Sequence, residues 1–111
     1  MLNTIQRGEI YYIDLSSTKG SEQGGLRPCV IIQNNKGNQH APTTIVVPLT
    51  TKWKKKLPTH ALVRESARLS LALCEQIRTV DKSRISGECV GECSPHTMEQ
   101  IDLALKISLG L

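Results

Sequence analysis

From Glu9 to Leu15 apolar and polar residues alternate, with Tyr11, Ile13 and Leu15 on one face, which is the period of a half-buried strand. Cys29 to Gln33 is a short apolar run, and Asn34 to Asn38, with Gly37 inside it, reads as a turn. Thr44 to Leu49 is β-branched and apolar and suits a buried strand. Pro48 lacks the N–H that a ladder needs, so it predicts an edge position or a strand end there. His60 to Arg64 reads as a short strand. Leu69 to Val80 starts strongly apolar and turns polar at Cys74-Glu75-Gln76. Arg84 to Val90 is a further strand, with Gly87 at a bulge or twist. After Ser94 the period changes. Ser94 suits a helix N-cap and Pro95 the first helical position. Met98, Ile101, Leu105 and, more weakly, Ile107 or Leu109 supply an apolar helical face, and Gly110 a stop. The sum predicts an α+β fold: a small antiparallel β-barrel or half-barrel sheet covered by a C-terminal helix.

Between the first two strands lies Gly20-Ser21-Glu22-Gln23-Gly24-Gly25-Leu26-Arg27-Pro28. Three glycines and a proline exclude a helix or a central strand, so the stretch reads as an exposed loop. It offers a hydroxyl, a carboxylate, an amide and a guanidinium within seven residues. An ordinary hairpin connection would explain the same composition. A second polar group, Glu75-Gln76-Ile77-Arg78-Thr79, interrupts an apolar run, and Thr50-Thr51 closes the strand after Leu49. The donors suit a phosphate: the guanidinium of Arg27 and the hydroxyls of Thr50 and Ser21. No Ser-His-Asp order stands out, and no carboxylate cluster suggests a two-metal site.

Length and charge narrow this further. A chain of 111 residues suggests one domain spanning 1–111. Phe is absent, and Tyr11, Tyr12 and Trp53 are the only aromatics, so the core must be built from Val, Ile, Leu and Ala. No apolar run approaches the roughly 20 residues of a membrane span, and Met1 to Arg7 has no hydrophobic signal region; the expected setting is cytoplasmic. The net charge is +4, and Lys52, Lys54, Lys55 and Lys56 together equal that excess. With Trp53 interleaved, this segment suits a nucleic-acid backbone with an unstacked base, although a solvated loop tip would look the same. Cys29 and Cys74 read as small buried hydrophobes. Cys89, Cys93 and His96 invite a zinc reading but stand one ligand short of a closed site. On a continuous strand the two cysteines would sit ~13 Å apart, unless Gly91 bends the chain. No metal site is assigned.

At these residues the chain resembles the MazF/PemK/Kid toxins of bacterial toxin–antitoxin pairs. The resemblance is carried by Arg7-Gly8-Glu9-Ile10-Tyr11, the Gly20 to Pro28 loop, Gln33-Asn34, Pro42-Thr43, Leu49-Thr50-Thr51, Leu57-Pro58-Thr59-His60 and Glu75 to Lys82. The C-terminal Ala104 to Leu109 also fits.

The resemblance implies a plasmid-maintenance-toxin fold of the MazF/CcdB kind. It implies a ribosome-independent endoribonuclease that cuts single-stranded RNA, mostly mRNA, at a short sequence, without metal or cofactor. It also implies a homodimer, an antitoxin of the MazE kind lying across the RNA site, and contact with DNA only through that antitoxin. Carried over by position, Arg27 and Thr50 would be the catalytic pair. Ser21, Glu22, Gln23, Thr51, Ser70 and Gln76 would bind substrate. The 2′-OH before the cut would attack phosphorus, leaving a 2′,3′-cyclic phosphate and a 5′-OH. Either Arg27 or Glu22 would take the proton, and arginine resists that role. Two other classes stay open. A CcdB-like gyrase poison would want a tryptophan at the C-terminal tip, whereas this chain ends Ile107-Ser108-Leu109-Gly110-Leu111. A non-catalytic RNA-binding module would want more aromatic platforms than this chain carries.

Overall fold

Seven strands and two helices follow one another along the chain in a computed structural model that describes residues 4–52 and 55–111. They are β1 (Glu9–Asp14), β2 (Leu26–Ile31), α1 (Asn35–His40), β3 (Thr43–Thr50), β4 (His60–Val63), β5 (Ser70–Leu73), β6 (Arg78–Asp81), β7 (Ile85–Glu92) and α2 (Pro95–Leu109). All pairings are antiparallel, in the order β4-β5-β3-β2-β1-β7, with β6 also on β3. The α+β expectation holds in its open form, because β4 and β7 remain the ends of the sheet.

β3 is the centre of this arrangement. β2 takes one side of it; β6 pairs with Thr43 to Val46 and β5 with Leu49 and Thr50 on the other. Pro48 was expected at an edge or a strand end, and it is instead inside a strand paired on both sides. Its tolerance has a local cause. The Ile45 carbonyl accepts from Ile32 and Gln33, so the groups of Ile45, Val47 and Leu49 face β2. Pro48 therefore turns its missing N–H to the other side, into the gap between the end of β5 and the start of β6.

The expected turn at Asn34 to Asn38 is also different: it opens the short helix α1. The Asn34 side chain caps it by accepting from the Gly37 N–H at 2.8 Å. Buried Asn38 accepts from Gln33 Nε2 and Thr44 Oγ1 and donates to the Gln33 carbonyl. The run from Leu69 to Val80 divides into β5 and β6 around the polar Glu75-Gln76 corner.

Two apolar clusters hold the sheet. Tyr11, Ile13, Leu15, Cys29, Ile31, Val46 and Val80 form one; Ile10, Val30, Val47, Leu49, Val63, Ala72 and Ile101 belong to the other. Consecutive residues such as Cys29 and Val30 fall in different clusters, which is why β2 reads as an unbroken apolar run. α2 starts as expected, with Ser94 Oγ accepting from the Thr97 N–H, and ends at Gly110. Its buried side is Thr97, Ile101 and Ala104, with Met98 and Leu105 packed beside them. Ile107 and Leu109, expected on that face, are exposed.

On β7 the pairing with β1 shifts register between Ser86 and Gly91, so residues 87–90 bulge opposite Tyr11, as Gly87 suggested. Gly91 pairs with Ile10 just past this bulge, and a Cβ there would run into the Glu65 carbonyl oxygen, so glycine lets the β4–β5 connection close over β7.

Candidate active site

Arg27 and Thr50 meet through strand register. β2 and β3 pair Cys29 with Pro48 and Ile31 with Val46, and the same register followed toward the loop sets Arg27 opposite Thr50. Both line a cleft of about 420 Å³ with Gln23, Lys52, Lys55, His60, Glu75 and Gln76.

Each side chain is held in a way that leaves part of it free. Arg27 Nε donates to the Gly24 carbonyl at 2.9 Å, which fixes the guanidinium plane. Its two terminal nitrogens make no hydrogen bond among the described residues. Thr50 is 6% exposed, and its Oγ1 accepts from the Lys52 N–H at 3.1 Å. Its own proton is thereby left to donate. Lys52 and Lys55 have no carboxylate within ion-pair distance among the described residues.

The β1–β2 connection that carries the glycine-rich loop is tied down at three points. The Leu15 N–H donates to the Gly25 carbonyl, where Gly25 holds φ +74°, a left-handed conformation that a side chain would strain. Arg78 donates to the carbonyls of Leu15 and Ser16. The Gln23 N–H donates to Gln76 Oε1 at 2.8 Å. The Glu75 to Thr79 stretch thus serves as the loop's anchor. Gln23 Oε1 is buried without a partner among the described residues and stands between this cleft and its neighbour.

The remaining sequence-derived candidates are dispersed. Glu22 lines the neighbouring cleft of about 410 Å³ with Ser17, Pro48 and Arg78, and it accepts from the Lys19 N–H. Ser21 and Thr51 are exposed and belong to neither cleft's lining. Ser70 is 2% exposed, pairs with Val63, and donates to the Arg68 carbonyl at 2.8 Å. Trp53 and Lys54 lie outside the described residues.

Two cleft residues went unassigned from sequence. His60 Nδ1 accepts from the Leu57 N–H at 3.1 Å, so its proton sits on Nε2, 3.2 Å from Glu75 Oε2. Thr59 Oγ1 holds the other Glu75 oxygen at 3.1 Å. The available signal was the Leu57-Pro58-Thr59-His60 stretch, whose histidine follows the lysine segment directly.

The cysteines stand apart from the cleft. Burial pushes the thiols of Cys29, Cys74 and Cys93 up to about 12, while Cys89 is exposed on β7. No three His, Cys, Asp or Glu side chains gather as a metal site among the described residues.

The family model for PemK-like, MazF-like toxins of type II toxin–antitoxin systems matches residues 6–109. The chain belongs to that family. A curated relative of this PemK/MazF toxin, the endoribonuclease MazF of Staphylococcus saprophyticus, is 46% identical, with 96% of this chain and 92% of the relative covered. A solved mycobacterial endoribonuclease in complex with its cognate antitoxin is 31% identical, covers 96% of both chains and superposes with a TM-score of 0.81. MazF from Deinococcus radiodurans shares the fold at 21% identity and a TM-score of 0.85, with 98% of this chain and 99% of that one covered.

Proposed function

We infer that this toxin-family chain is an endoribonuclease, and we propose that it cuts single-stranded RNA by internal attack of a 2′-OH. The observation that carries the reading is that Arg27 and Thr50 line one cleft, each with unspent donors. Two terminal nitrogens of Arg27 and the Thr50 hydroxyl suit the dianionic phosphorane that forms as the 2′-oxygen bonds to phosphorus. The 5′-oxygen then departs, taking a proton from solvent at the cleft mouth. The products are a 2′,3′-cyclic phosphate and a 5′-OH. The nucleophile belongs to the substrate, so no metal-activated water is needed, and DNA is not cut.

Glu75 is the carboxylate lining the Arg27–Thr50 cleft, oriented by His60 and Thr59. We assign it the 2′-OH proton in preference to Arg27, which resists deprotonation, and to Glu22, which lines the neighbouring cleft. Gln23 and Gln76, on the wall between the two clefts, are placed to meet a base. Ser21, Glu22 and Thr51 belong on this reading to the groove around the cut, whereas the buried Ser70 supports β5.

A cognate antitoxin is proposed as partner, supported by the mycobacterial complex. A homodimer is supported by the exposed apolar stripe Leu103, Ile107 and Leu111 on α2 and its end, at 56%, 51% and 86% exposure. No described helix is long and apolar enough to cross a membrane; a cytoplasmic place follows from the substrate. The whole chain acts on this reading as one toxin domain.

The test is cleavage of a mixed-sequence single-stranded RNA in EDTA by the wild type and Arg27→Ala. Cyclic phosphate and 5′-OH ends are expected, with the variant at least a hundredfold slower, about 3 kcal/mol of barrier. Intact RNA with the wild type across varied sequences would overturn the reading and favour a protein target of the CcdB kind.

A further inference from the structure

We propose that a second groove, between β4 and the start of α2, holds the RNA backbone flanking the cut. This rests on the ribonuclease reading. The groove encloses about 370 Å³ and is lined by Lys56, Arg64, His96 and Gln100, among others. His60 stands in the wall of both this groove and the Arg27–Thr50 cleft, so the two spaces adjoin across a single imidazole.

Its electrostatics favour a polyanion. Lys56 and Arg64 have no carboxylate within ion-pair distance among the described residues. The groove's own carboxylate, Glu65, is turned onto the protein: Oε1 accepts from the Arg64 N–H, and Oε2 accepts from the Ser94 N–H and the Thr97 hydroxyl at 2.9 and 2.8 Å. It therefore also occupies the α2 N-terminus, and the free donors left in the groove are those of Lys56, Arg64, His96 and Gln100. Ala61 and Leu62 are the apolar residues of the lining, which holds no Trp, Tyr or Phe anchor among the described residues; this fits a phosphodiester chain better than a folded protein segment.

Contacts to phosphates outside the Arg27–Thr50 cleft hold substrate and transition state equally. Their loss raises KM and leaves kcat in place. Flanking nucleotides would thus set how tightly an RNA is held, while the Arg27–Thr50 cleft sets how fast it is cut.

The experiment compares two RNAs with the same cut sequence, one trimmed to the shortest that is cut and one extended on either side. Cleavage is measured on both, and binding is measured separately on versions carrying a 2′-deoxy sugar at the cut. The variants are Lys56→Gln/Arg64→Gln together and Arg64→Glu alone, all at exposed positions. The wild type is expected to favour the extended RNA. The double variant is expected to lose that advantage through KM and to lower the log–log salt slope of binding by about 0.7 per phosphate contact removed. Arg64→Glu should act in the same direction. An advantage and a salt slope that survive in both variants would overturn the proposal. So would unchanged RNA binding accompanied by weaker capture of an acidic peptide, which would assign the groove to a protein. A wild type that cuts neither RNA would overturn the ribonuclease reading instead, and the binding series would still decide the groove.

Discussion

Thr50 Oγ1 accepts from the Lys52 N–H, and its own proton is left to donate to a phosphate. Thr50→Val keeps the shape and removes that donor, whereas Thr50→Ser retains it. Single-turnover cleavage is expected to fall about a hundredfold for the valine variant and far less for the serine one. Equal rates for valine and wild type would mean that the hydroxyl plays no part in the chemistry. Arg27 and Thr50 were legible in sequence as phosphate-suited donors at a loop and a strand end. Their juxtaposition was not, because it depends on the β2–β3 register. The tie between His60 and Glu75 spans fifteen positions and comes from β4 pairing with β5, so neither residue showed its role alone. Ser70 shows the opposite case: a hydroxyl that looks available in sequence is spent on the Arg68 carbonyl.

Among the elements, α2 was the most legible, since its cap, first-turn proline and stop are local signals. What holds its start lies elsewhere in the chain. Burial would by itself raise the Glu65 carboxyl, but hydrogen bonds from Ser94 and Thr97 outweigh it and hold the group below its ordinary value of 4.5. A carboxylate held low in the fold contributes its stability in full above 4.5 and loses it as pH falls through the folded value. Glu65→Gln should therefore cost about 1–2 kcal/mol near neutrality. The deficit should shrink in acid, as read from urea melts at about pH 7 and about pH 3. A deficit that stays constant between them would show that packing, not charge, holds the helix. β3 shows the limit of local reading: Pro48 looked like an edge signal, and only the handover from β6 to β5 explains its central place.

At the scale of the whole molecule, two apolar clusters bury the sheet's middle strands on both sides, yet α2 leaves Leu103, Ile107 and Leu111 uncovered. The proposed homodimer would cover them. Ile107→Glu, an exposed position that leaves both clusters intact, is expected to sediment as a monomer where the wild type sediments as a dimer. A variant that remains dimeric would remove this stripe from the interface.

Sequence alone determined what depends on near neighbours: the strand periods, the capped helix, the glycine-rich loop and a chemistry of phosphate donors. Those signals are local because side-chain direction and backbone freedom are set within a few residues. Tertiary structure decided what depends on register and closure. It put Arg27 across from Thr50, turned the Glu75 to Thr79 stretch into the loop's anchor, kept the sheet open between β4 and β7, and joined two grooves at His60. These pairings link residues far apart in the chain, and their energies exist only once the strands have paired.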